Sequence, residues 1–166
     1  GGNSANFLFM QWRLKWRGWV NVYSVSYTPP HINARKLAQQ VNDHVERILA
    51  STGAQKAHIV CHSMGGPLTR YALKNLGLAG KVDRVITLGS PHYGSRIAGL
   101  FPAQGGARFF SIYSNLDNFV LPVSTAVLDG AEANINVPYL GHCALLYSNR
   151  VLDQVERCLL SPKPEV

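Results

Sequence analysis

The sequence predicts an α/β fold, a minimal parallel sheet with helices on both faces, and three observations carry that prediction. Helical and strand-like segments alternate along the chain; a stretch near residue 40 repeats its apolar residues at helical spacing; and a short apolar run before Ser63 reads as a buried parallel strand. Taken in order, residues from about Ala5 to Trp16 read as a helix ended by Gly18. Val20 to Tyr27 reads as a strand, broken by Pro29 and Pro30. From Ile32 to Leu49, Leu37, Val41, Val45, Ile48 and Leu49 form one stripe, with Arg35, Lys36, Gln39, Asp43 and Glu46 opposite. This is an amphipathic helix closed by Gly53. Ala57 to Cys61 is the apolar run, and Leu68, Tyr71, Ala72 and Leu76 after it define a helix with Pro67 in its first turn and Gly77 at its end. Strands follow at Val82 to Leu88, Phe109 to Tyr113 and Ile135 to Leu140, the first two separated by a loop rich in Gly and Pro. A last helix runs from Asn149 to Leu160 with Val151, Leu152, Val155 and Leu159 inward. No repeat, low-complexity tract or linker divides the chain, which reads as one domain over residues 1–166.

The segment His58 to Pro67, HIVCHSMGGP, sets one serine between a strand and a small-residue turn that opens a helix. That is the layout of a nucleophile elbow, Gly-x-Ser-x-Gly, where a strained turn lifts the hydroxyl clear of the backbone and small neighbours let strand and helix approach. Here Cys61 stands in place of the first glycine, which should crowd the elbow slightly; Gly65 keeps the second small site. A serine hydroxyl attacks only when a base takes its proton, and the base needs an acid to hold its tautomer. Both belong on loops past strand C-terminal ends. His142, after the strand ending at Leu140 and the flexible Gly141, satisfies this better than His31, His44, His58, His62 or His92. Asp117, after the strand ending near Tyr113, is the candidate acid, and Asp129, beside Gly130, is its rival.

Composition sets outer bounds. Sixteen Lys and Arg against nine Asp and Glu give a net charge of +7. The bases are scattered apart from Arg13, Lys15 and Arg17 and the pair Lys81 and Arg84, so a solvated positive surface is expected rather than a nucleic-acid site. No apolar run approaches the roughly 18 residues that span a bilayer, so no transmembrane segment is expected. Cys61, Cys143 and Cys158 lack metal-ligand spacing and read as free thiols.

The chain resembles a small, lidless bacterial lipase of the α/β-hydrolase superfamily. The resemblance is carried by GGNSANF at the start, HSMGG at the elbow, LGSPHYGS from Leu88, SIYSNLD through Asp117 and GHCALLYSNRV through Val151. It implies the α/β-hydrolase fold and triad order Ser63, Asp117, His142, with Ser63 as nucleophile, His142 as base and then acid, Asp117 as its orienting partner and the Met64 backbone N–H as one oxyanion donor. It also implies a carboxylic ester hydrolase without a cofactor or metal; the short segment between the strands near Leu88 and Phe109, with Gly94, Gly99, Gly105 and Gly106, leaves no room for a helical lid, so short-to-medium acyl esters in an open groove are expected. The partners implied are an ester or lipid substrate and peripheral contact with a lipid interface, in a secreted or periplasmic setting. Ile97, Leu100, Phe101, Val120, Leu121, Leu145 and Leu146 are candidates for an apolar wall along the acyl chain, or for core. Two other classes stay open: an acyltransferase using the same triad, and a non-catalytic remnant.

In the family, a central strand ends in a His-Gly pair, and the next residue supplies a second oxyanion N–H just before a Gly-Gly like Gly1-Gly2. The resemblance therefore implies that the first central strand lies outside this chain. It predicts five main parallel strands here and an unfilled slot beside the strand leading to Ser63. Loss of one oxyanion donor costs about 3–4 kcal/mol of transition-state stabilisation.

Overall fold

The computed structural model describes residues 4–26, 33–94 and 106–162. A 3₁₀ turn, Ser4–Phe7, leads into helix α1, Leu8–Trp16. Then come α2, Ala34–Thr52; β1, Ala57–His62; α3, Gly65–Asn75; β2, Val82–Leu88; β3, Arg108–Tyr113; β4, Ala133–Asn136; and α4, Asn149–Leu160. The four strands form one sheet in the order β1-β2-β3-β4, every pair parallel. Parallel neighbours need crossovers, and α3 supplies the one between β1 and β2.

Local chemistry explains the helices. The Asn33 side chain accepts from Arg35 N at 2.8 Å and caps α2, and Gly53 ends it at φ +71. The apolar stripe read from the sequence faces inward: Leu37, Val41, Val45 and Leu49 are buried. In α4, Val151, Leu152, Val155 and Leu159 are buried, each contributing about 1.5–3 kcal/mol of hydrophobic stabilisation. The sheet is covered on both faces. Ile86, Leu88, Phe110 and Ile112 pack with Met10 and Leu14 of α1 and with α4. Val82, Val85 and Phe109 pack with Val45 and Leu49 of α2 and Leu73 of α3.

Three expectations are corrected. Residues 20–26 are not a strand, although they are rich in Val and Tyr; they run as irregular backbone, and Tyr27 lies outside the described residues. Side chains hold this segment instead of a ladder: Gln11 Nε2 donates to Val22 O at 2.8 Å, Ser24 donates to Gln11 Oε1, and His44 Nε2 donates to Ser26 O at 2.9 Å. The described sheet accordingly has four strands, not five. The last strand is Ala133–Asn136 rather than Ile135 to Leu140, because beyond Asn136 the chain turns away, reaching positive φ at Tyr139.

Strand β1 is the edge of the described sheet. Along it runs a groove of about 720 Å³, lined by Ile59 and Val60 of β1, Val22 and Val25, and Val41 and Ile48 of α2. Three of the bases singled out in the sequence are held in ion pairs. Arg17 pairs with Asp153 and Glu156, Lys81 with Glu46, and the buried Arg84 with Asp83.

Candidate active site

Because all four strands are parallel and in register, their C-terminal ends share one edge of the sheet, His62 beside Leu88 and Leu88 beside Ile112. The residues following those ends converge there. Ser63 comes directly after β1 with φ +55, a left-handed conformation that costs a non-glycine residue about 1–3 kcal/mol. The surroundings hold it: Ser63 N donates to Leu88 O at 3.0 Å, and Gly66 N donates to Ser63 O at 3.1 Å. The turn has no room for side chains. A Cβ on Gly65 would lie 3.0 Å from Cys61 Cβ, so Gly65 absorbs the crowding caused by Cys61; one on Gly66 would lie 2.6 Å from Ser90 Cβ. Burial pushes the Cys61 thiol up to about 12, which leaves it protonated and inert.

Asp117 and His142 meet although 25 residues separate them: His142 Nδ1 lies 2.8 Å from Asp117 Oδ2, and both side chains are buried. A carboxylate only accepts, so Nδ1 carries the proton and Nε2 keeps its lone pair. The other carboxylate oxygen accepts from Phe119 N at 2.9 Å and Val120 N at 3.0 Å, fixing the rotamer. Ser114 Oγ joins the two loops by accepting from Leu116 N and Leu140 N. Asp129 is exposed beside Gly130, its N–H donating to Tyr93 Oη, and makes no contact with His142. Among the described residues the Ser63 hydroxyl makes no hydrogen bond; its chain neighbour His62 packs its ring against that of His142, with centroids 4.3 Å apart. The Met64 N–H sits at the start of α3, where the helix leaves its first N–H groups unpaired.

The apolar-wall candidates divide. Leu145 and Leu146 are core, and Val120 is buried; Leu121 is exposed. Ile97, Leu100 and Phe101 lie outside the described residues. Three contributors escaped sequence reading. Phe119, largely exposed, has its ring centroid 5.2 Å from that of His142. Gly89, at φ +50, underlies the Asp117–His142 pair. His92 is fully buried, its Nε2 3.0 Å from Thr87 Oγ1, while its carbonyl accepts from Arg70 of α3. Burial first, and then Arg70, lower the His92 pKa to about 3. The spacing of LGSPHYGS after a strand was the one signal for Gly89 and His92; nothing in the sequence marked Phe119. Among the described residues no group of His, Cys, Asp and Glu has the arrangement of a metal site, and no helix is long and apolar enough to cross a membrane.

Comparison with known proteins agrees with this edge-of-sheet architecture. Sixty residues are 39% identical to triacylglycerol lipases of Pseudarthrobacter phenanthrenivorans and Burkholderia plantarii. That match covers 36% of this chain but only 18% and 16% of those proteins. Among solved structures, the product of lin2722 from Listeria innocua superposes with a TM-score of 0.66 at 14% identity, covering 86% of this chain and 72% of that one. An α/β hydrolase enzyme from the sediment metagenome of the Mar Chica lagoon gives 0.61 at 12% identity, covering 95% and 84%. These likenesses establish the α/β-hydrolase fold. The family model for palmitoyl protein thioesterases matches residues 6–127, well over half of the sequence, and the chain belongs to that family.

Proposed function

We propose that the chain is a serine carboxylic ester hydrolase working through Ser63, His142 and Asp117. The observation that carries this reading is the buried 2.8 Å His142–Asp117 hydrogen bond, set on the same sheet edge as a serine held at φ +55. In the proposed cycle His142 Nε2 takes the Ser63 proton as Oγ attacks the acyl carbonyl, and the oxyanion accepts from the Met64 N–H. The His142 imidazolium then returns the proton to the leaving alkoxide as the C–O bond breaks. Water repeats the steps on the acyl-enzyme, releasing the acid and free serine. Asp117 stabilises the imidazolium without taking its proton. The exposed Phe119, Leu121 and Met64 offer apolar surface to a short or medium acyl chain.

The family match favours a second leaving group, a thiolate, because palmitoyl protein thioesterases are named for thioesters. The same acyl-enzyme serves both, and an alcohol in place of water turns hydrolysis into acyl transfer. The test is hydrolysis of p-nitrophenyl acyl esters beside matched acyl thioesters. Ser63→Ala should lower turnover by about 10⁴–10⁶-fold, and a fluorophosphonate should modify Ser63 alone. Modification of another serine, or full turnover by the variant, refutes the triad.

A further inference from the structure

We propose that His62 is a positioning residue for His142: its ring N–H clamps the His142 backbone carbonyl and its face braces the His142 imidazole. The proposal rests on the reading of His142 as the base. Two contacts carry it: His62 Nε2 lies 3.1 Å from His142 O, and the ring centroids are 4.3 Å apart at a tilt of 43°. A carbonyl only accepts, so Nε2 is the donor and its proton is fixed there. His62 is not itself the base, since among the described residues it has no carboxylate partner and its Nε2 is already engaged by His142 O.

The clamp answers a mechanical need. His142 follows Gly141, whose backbone constrains it little; the bond to Asp117 holds Nδ1 and the His142 N–H donates to Asn118 Oδ1 at 3.4 Å, and both of these ties run to the acid loop. Neither of them ties His142 to the nucleophile turn, as aiming Nε2 at Ser63 requires. His62 supplies that tie from the position adjoining Ser63, so one side chain ties the base loop to the nucleophile turn across 80 residues of chain. Burial, and after it the neighbouring His142, hold the His62 pKa near 4, so around neutral pH it stays an uncharged donor and adds no cation beside a developing imidazolium.

Two variants separate the donor from packing. His62→Gln places an amide N–H near the Nε2 position; His62→Phe keeps an aromatic face and removes the donor. In the purified protein, modification of Ser63 by a fluorophosphonate should be retained within about threefold in H62Q and slowed about tenfold or more in H62F at matched melting temperature. The low-field proton signal of the His142–Asp117 bond should persist in the first and broaden or vanish in the second. Wild-type-like labelling and signal in H62F overturn the proposal, as does a folded H62Q as slow as H62F. Should H62F fail to fold, the wild-type imidazole ¹⁵N spectrum decides: His62 must be the Nε2–H tautomer, and an Nδ1–H tautomer overturns the clamp. Absence of Ser63 labelling in wild type defeats the proposed function instead, while the tautomer and the low-field signal still judge the clamp.

Discussion

Gly89 lies directly beneath Asp117: a Cβ built on it would come within 2.8 Å of Asp117 Oδ2 and 3.3 Å of His142 Nδ1. The residue therefore secures the acid–base pair by being empty space, and its φ of +50 adds a second demand for glycine. Gly89→Ala should push the carboxylate from the imidazole by a fraction of an ångström to an ångström. The expected loss of ester hydrolysis is about 100-fold, larger than the loss of stability explains, checked by comparing kcat/KM with the melting temperature. An alanine variant of normal activity would mean that the pair is not catalytic.

The two candidate acids predict opposite outcomes. Asp117 Oδ2 fixes the His142 tautomer while Oδ1 accepts two backbone N–H groups; Asp129 touches neither partner. Asp117→Asn should retain the turn but present an amide to Nδ1, lowering kcat by about three to four orders of magnitude. Asp129→Asn should stay within about twofold of wild type. Loss of activity in the second variant and not in the first reverses the assignment.

The legible parts of this molecule were those that local chemistry dictates. The stripe of α2, the glycine at its end, the bounds of α4 and the run into Ser63 follow from periodicity and small-residue placement, and the structure has them where the sequence reads them. Asp117 and His142 were legible as loop residues past strand ends. Residues 20–26 are rich in Val and Tyr yet form no strand, because β propensity specifies a strand only when an edge pairs with it and no strand among the described residues does so. Gly89 and Phe119 escaped because each acts through a contact between elements distant in sequence.

Acid should destabilise the protein through its buried imidazoles. His92 and His62 have folded pKa values depressed to about 3 and about 4, below the ordinary 6.5, so between these limits the unfolded chain binds more protons. Stability is thus full above pH 6.5 and falls as pH drops toward 4. His92 alone should account for about 2 kcal/mol by pH 5. Denaturant unfolding at pH 7.5 and pH 5 should reveal this slope, and His92→Gln should flatten it. Equal pH dependence in the variant would show that His92 is already charged or exposed.

The groove along β1 predicts that this fold gains stability from one more strand. Its walls are mainly apolar, and the edge of β1 that no strand pairs among the described residues presents backbone N–H and C=O groups that a parallel neighbour would pair, each bond worth about 0.5–1.5 kcal/mol net. A six-residue apolar strand fused ahead of Gly1 should raise unfolding stability on the order of 3 kcal/mol or more and slow amide exchange in His58 to His62. An equally long Gly/Ser segment should do neither, because it lacks the apolar side chains that fill the groove. If the apolar strand leaves both stability and exchange unchanged, the edge of β1 is already satisfied in solution and the groove is closed by the chain itself.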